Sequence, residues 1–293
     1  MRVLLTGASG LLGRALVRPF EASHELYAAA FSRSAPPLHR LDLRDVSEVK
    51  ALVQDFRPQL IIHSAAERRP DICENDHEAT DALNVSAVET LAECAKKVGA
   101  FLIYLSTDYV FDGTTPPYGV DARPNPLNYY GQSKRAGEVA ALGSGAEVCV
   151  LRVPILYGPV ENLEESAVTI MARLLEHDEA CAVDHWAIRY PTHVDDVATA
   201  VRGLADLLET GKRLPEILHF SGAEAFTKFE MAKIMAKACG RSCDHLRPDS
   251  GPTGSAPRPH NCQLDDSLLM SLVEVHKRPF RGVIGDLIEP HLR

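Results

Sequence analysis

A chain of 293 residues can bury a substantial core and has room for two lobes. With 45% hydrophobic and 24% charged residues it has the composition of a folded globular protein, which argues against long disorder. A formal net charge of -9 leaves no diffuse positive field to hold nucleic acid or an anionic membrane surface, so any bound phosphate must be held locally.

The first apolar run, 2–5, enters a glycine turn, after which Leu12, Ala15, Leu16 and Phe20 fall at helical spacing and Pro19 is expected to end or kink the helix. A second strand is expected over 26–31. Asp45 and Glu48, three apart, predict a capping box for a helix carrying Val49, Leu52, Val53 and Phe56. A buried strand over 60–63 follows, then a helix over 81–98 stopped by Gly99, a strand over 101–105, a helix from about 130 to 142 and a strand over 148–152. Apolar strands alternating with helices imply a doubly wound parallel Rossmann sheet of the α/β class. Beyond Pro154 the rhythm loosens: helices are expected over 194–208 and 228–239, with a turn-rich stretch at 249–261. The expected division is a dinucleotide-binding domain of residues 1–153 and 188–219, and a smaller, mixed substrate or partner lobe of 154–187 and 220–293.

Seven cysteines without a disulfide rhythm suit a reducing, cytoplasmic compartment. Cys239, Cys243 and His245, with His260 and Cys262 beyond them, lack CxxC or HxxxH spacing, so no metal is expected. The opening MRVLLTGASG breaks at Thr6 and Gly7, too early for a signal peptide, and the chain has no transmembrane-length apolar run.

Gly7, Gly10 and Gly13 follow a strand and open a helix, the context in which a backbone stripped of side chains approaches a pyrophosphate. At the end of the second strand stand Phe31, Ser32 and Arg33 rather than an acid. A cation there favours a 2′-phosphate, hence NADP(H) over NAD(H). Asp42 and Leu43 are expected near the adenine, and Ser64 near the pyrophosphate. Tyr130 and Lys134, four apart on a helix, share a face, and Ser106 and Thr107 end an earlier strand. A phenol is a poor acid or base at neutral pH unless an ammonium stabilises its anion, so Lys134 would assist Tyr130 while Thr107 holds a substrate carbonyl.

Three segments, 104–113 (YLSTDYVFDG), 126–134 (PLNYYGQSK) and 258–265 (RPHNCQLD), resemble the dTDP-4-dehydrorhamnose reductases, which are extended short-chain dehydrogenase/reductases. Residues 65–71 (AAERRPD), 151–158 (LRVPILYG), 163–169 (LEESAVT), 184–186 (DHW) and 191–194 (PTHV) are similar to one branch, the regulatory β subunits of methionine adenosyltransferase. That resemblance implies an NADP(H)-binding, non-catalytic partner of the enzyme that makes S-adenosylmethionine. It places cofactor contacts on Ser9, Gly10, Leu11 and Leu12, on Phe31, Ser32 and Arg33, on Asp42 and Leu43, and on Ser64, Arg68, Tyr130, Lys134 and Leu156. The resemblance implies a hetero-oligomer with the catalytic subunit, while the sequence's end at Arg293, short of the longer aromatic-rich tail with which those subunits dock into that partner, weighs against the association. The complete Thr107, Tyr130 and Lys134 set keeps a second expectation open, an NADPH-dependent reductase of a nucleotide-linked 4-keto sugar.

Overall fold

Successive strand residues face opposite sides of a sheet, so strands that are apolar at every position need cover on both faces. The computed structural model, which describes residues 1–252 and 256–292, provides that cover. In chain order come β1 (Arg2–Thr6), α1 (Leu11–Glu21), β2 (Glu25–Ala30), β3 (His39–Arg40), α2 (Val46–Phe56), β4 (Leu60–His63), α3 (Pro70–Asn75), α4 (His77–Asp81), α5 (Ala87–Val98), β5 (Phe101–Thr107), α6 (Tyr129–Gly143) and β6 (Glu147–Val153). Then follow β7 (Leu156–Tyr157), β8 (Cys181–Asp184), β9 (Thr192–His193), α7 (Val194–Glu209), β10 (Ile217–His219), α8 (Lys228–Ala238), β11 (Leu246–Asp249), α9 (Ser267–Leu272) and α10 (Phe280–Ile288).

The main sheet is parallel throughout, in the order β10-β6-β5-β4-β1-β2-β3. Val3, Leu5, Ile62, Ile103 and Leu151 pack on one face with α1 and α7; Leu4, Ile61, Leu102, Tyr104 and Val150 pack on the other with α2 and α5. The predicted doubly wound α/β Rossmann sheet is therefore present. Its order reverses between β1 and β4, the switch point where such sheets open a crevice at the carboxyl ends of their strands. A third core, built on Tyr157, Met171, Phe226, Met231, Phe280 and Ile284, fills a smaller lobe of helices and short strands, where β8 pairs with β11.

Local departures from the sequence reading have identifiable causes. Helix α1 runs through Pro19 to Glu21, because a proline in the last turn removes a single donor while Phe20, fully buried, pins that turn to the sheet. Phe31 lies beyond β2 and is 45% exposed. Asp45 caps α2 by accepting from the Ser47 and Glu48 amides, but the Glu48 carboxylate turns to the Asp42 amide instead of closing the capping box. The helix expected over 81–98 starts earlier, as α4, and passes through a π-turn at Ala82–Ser86 before α5 ends on Gly99 with φ +71. Of the turn-rich stretch 249–261, residues 253–255 lie outside the described residues.

Candidate dinucleotide-binding site

The crevice at the switch point is a cleft of about 640 Å³. Its floor is the β1–α1 turn, where Gly7 has φ +75 and an added Cβ would lie 2.7 Å from the Ala65 amide nitrogen, so the two loops meet as only glycine permits. At Gly13 a Cβ would fall 2.0 Å from the Gly7 carbonyl oxygen, which makes this glycine the condition for seating α1 on the turn. Gly10 caps α1 without any side-chain hydrogen bond, so the first amides of the helix face the cleft with their donors uncommitted to a side chain. A cradle of this kind fits a pyrophosphate.

Each residue expected in the cofactor and chemistry sites lines this cleft. Gly7, Ser9, Gly10, Leu11, Leu12 and Gly13 form the floor, and Phe31, Ser32 and Arg33 form one wall with Asp42 and Leu43. Ser64 and Arg68 come from the β4 end, Thr107 from the β5 end, Tyr130 and Lys134 from α6, and Leu156 from β7. Arg69 turns aside to Glu67, at 2.6 Å. The guanidinium carbons of Arg40 and Arg44 sit 5.2 and 4.8 Å from the Phe31 ring centroid, and Arg44 also pairs with Asp42 at 2.8 Å. That hydrogen bond holds the Asp42 carboxyl below its ordinary range. Arg33 is no loose surface charge, since it donates to the Ser9 carbonyl at 2.8 Å, to Glu161 at 3.0 Å and to Glu165.

At the far end, Asn128 caps α6 by accepting from the Gly131 amide at 2.9 Å and so fixes the turn that carries Tyr130. Burial pushes the Tyr130 phenol well above its ordinary pKa, with the neighbouring Thr107 hydroxyl pulling the other way. Lys134 donates to the Leu105 carbonyl at 2.8 Å and lies 4.1 Å over the Tyr104 ring. Its burial brings the ammonium down to about 7, opposed by the charge of Glu138. The sequence suggested an ammonium that lowers the phenol; here the Lys134 ammonium is engaged by the Leu105 carbonyl and the Tyr104 ring, burial raises the phenol, and the phenol keeps its proton. Asp108, also buried, is pushed up to about 7.

Sequence reasoning passed over Asn84, Glu138, Arg152 and Glu165. Asn84, in the π-turn, binds the Glu67 amide at 2.9 Å and the Ser133 hydroxyl at 3.0 Å, tying the β4 loop to the turn of α6 that precedes Lys134. A polar residue on an otherwise apolar helical face was its one visible signal. Among the described residues no cluster of three or more His, Cys, Asp or Glu side chains is placed to hold a metal, and His245 bonds the Leu174 carbonyl at 2.7 Å. No helix of the described residues is long and apolar enough to cross a membrane.

Comparisons with known proteins agree with this geometry. The family described as RmlD substrate binding domain matches residues 1–292. The methionine adenosyltransferase 2 subunit beta of Xenopus tropicalis is 48% identical over 99% of this chain and 88% of its own length, and the dTDP-4-dehydrorhamnose reductase of Mycolicibacterium smegmatis is 31% identical over 88% and 76%. Among solved structures, the dTDP-4-dehydrorhamnose reductase of Bacillus anthracis in complex with NADP superposes with a TM-score of 0.83 at 28% identity, covering 99% of both chains. The chain belongs to the RmlD-like family of extended short-chain dehydrogenase/reductases, in the branch of the methionine adenosyltransferase 2 β subunits.

Proposed function

We propose that this chain is an NADP(H)-binding, non-catalytic regulatory subunit of methionine adenosyltransferase, acting in cytoplasmic S-adenosylmethionine biosynthesis. The observation that carries the reading is the difference in likeness: 48% identity to a β subunit across nearly the whole chain, against 31% to a reductase across less of it. In this reading residues 1–153 and 188–219 form the cofactor domain, and residues 154–187 and 220–293 form the lobe that meets the catalytic subunit. The α1 amides and Ser9 to Leu12 take the pyrophosphate, Arg33 takes the 2′-phosphate, Asp42 and Leu43 border the adenine, and Tyr130 and Lys134 take the nicotinamide ribose. Gly7, Gly13, Phe31, Ser32, Ser64, Arg68 and Leu156 complete the cofactor contacts. The reading is tested by adding the chain to a methionine adenosyltransferase catalytic subunit, whose rate of S-adenosylmethionine synthesis is expected to change saturably. A rate unmoved by excess chain contradicts it.

A second reading, an NADPH-dependent reductase of a nucleotide-linked 4-keto sugar, is favoured by the meeting of Thr107, Tyr130 and Lys134 in one cleft. Bound NADPH would supply the hydride. The phenol, protonated at neutral pH, would give its proton to the substrate oxygen, with Thr107 orienting that oxygen and Lys134 holding the ribose. Under this reading Tyr130→Phe removes the acid and is expected to abolish any keto-sugar turnover while NADPH, still held by Lys134 and the rest of the cleft, continues to bind. Turnover that survives the change removes Tyr130 from the role.

A further inference from the structure

Glu165 lies at the centre of a charged knot at the mouth of the cleft. Although it comes from the smaller lobe, its carboxylate accepts from Arg14 of α1 at 2.5 Å, from Arg33 past β2, and from the Glu161 amide at 3.0 Å, while its carbonyl accepts from Arg68 at 2.6 Å. Its side chain is only 8% exposed. Arg14 and Arg33 also share the Ser9 carbonyl, at 2.9 and 2.8 Å, which fixes both guanidiniums to the turn that would hold the pyrophosphate. Glu161 adds a second carboxylate to Arg33, at 3.0 Å. The 161–165 segment thus straps the smaller lobe across three loops of the dinucleotide site, and it does so through the cation that a 2′-phosphate needs.

We infer that Glu165 is a specificity-setting residue of this site: its carboxylate occupies Arg33 in place of a 2′-phosphate, so a 2′-phosphorylated dinucleotide must displace the 161–165 strap whereas a dinucleotide lacking that phosphate leaves it closed. The inference rests on the dinucleotide reading of the cleft. A 2′-phosphate carries close to two negative charges and is best held by the planar fork of an arginine. Two carboxylates already converge on its Nη1 while Nη2 is held by the Ser9 carbonyl, and a phosphate entering beside them meets like charge. The cost falls on NADP(H) and spares NAD(H), so the strap narrows the preference that Arg33 would otherwise create. It also couples the smaller lobe, the lobe assigned above to the partner, to the phosphorylation state of the bound cofactor.

The test is the dissociation constants of NADPH and NADH for the full chain, read by nicotinamide fluorescence, with Glu165→Gln, Glu161→Gln, Arg33→Ala and the Arg33→Ala/Glu165→Gln pair. Glutamine keeps the shape of the strap and removes its charge. Glu165→Gln is expected to tighten NADPH roughly tenfold and NADH less than about threefold. Glu161→Gln, at an exposed position that leaves the Arg14 pair intact, moves NADPH the same way by less, and the gain disappears on the Arg33→Ala background. Equal tightening of both dinucleotides, or weaker NADPH binding in the glutamine variants, overturns the inference while leaving the dinucleotide reading in place. A wild-type chain that binds neither dinucleotide overturns that reading itself.

Discussion

Glu138→Ala is expected to lower folding stability by about 3–5 kcal/mol, because it strands a buried charge that pairs with no other carboxylate among the described residues. Arg152 on β6 is only 1% exposed, and its Nε and Nη2 both bond Glu138, each at 2.8 Å. The same carboxylate accepts from Ser106 at 2.6 Å and from Arg135 at 2.9 Å. Beyond Arg152 lies His219, at 3.3 Å, whose imidazole is held neutral, its pKa lowered to about 4 by burial and then by the guanidinium. Removing Glu138 leaves a guanidinium beside a ring that cannot take a negative charge. Urea unfolding of wild type and variant at pH 7 measures the loss, and replacing the pair together, as Glu138→Leu/Arg152→Met, is expected to recover most of it. The pH dependence has a definite sign. Burial alone would raise the Glu138 carboxyl, but its bonds from Arg152, Ser106 and Arg135 outweigh burial and hold it below its ordinary 4.5. A depressed carboxyl contributes stability that is complete above the unfolded value and is lost as pH falls through the folded one, so the gap between wild type and variant narrows below pH 4.5. A gap that widens on acidification, or a loss under about 1 kcal/mol at pH 7, contradicts this account of the pair.

Gly13→Ala is expected to abolish dinucleotide binding, weakening NADPH at least about a hundredfold, because a buried clash there moves the element that presents the donors. The added methyl would stand 2.0 Å from the Gly7 carbonyl oxygen and 2.7 Å from the Ala8 Cα, both backbone atoms with no rotamer to yield. The helix can relieve the contact only by lifting its first turn away from β1. That displaces the uncapped amides of Leu11 and Leu12 and loosens the packing of Leu12 and Leu16 on the sheet. Gly143, where an added Cβ meets nothing within 4 Å, supplies the control: Gly143→Ala leaves affinity unchanged. Fluorescence titration of both variants, with thermal melts to follow the fold, decides the matter, and wild-type affinity in Gly13→Ala removes the turn from the binding site.

The sheet and its glycine turn were legible because their signals are local. Apolar runs of four or more residues on both faces, a glycine at positive φ and a stop at Gly99 each carry their cause in a few neighbouring positions. Strands β3, β7, β9 and β10 were not legible, since two or three residues show no periodicity and pair only because β2, β6 or each other stand ready. The cleft followed from the turn: Arg33, Tyr130 and Lys134 could be placed by their distance from strand ends. What holds those residues could not. Glu165 reaches Arg14 across 151 positions and Arg33 across 132, and Arg152 meets His219 across 67, so no spacing rule connects them. The Glu48 arm of the expected capping box went to Asp42 for a related reason, because a loop amide brought close by tertiary structure competed with the local one.

The lobes carry different parts of the proposal, the sheet domain the cofactor and the smaller lobe the partner, and the strap through Glu165 joins them. Association with the catalytic subunit is what a regulatory subunit must show. Light scattering on this chain mixed at micromolar concentration with a methionine adenosyltransferase catalytic subunit measures it most directly. A single species heavier than either component, of fixed stoichiometry and retained when NADPH is present, is expected. Two components that pass through at their separate masses, with and without NADPH, would contradict the regulatory reading and leave the keto-sugar reductase as the function this cleft supports.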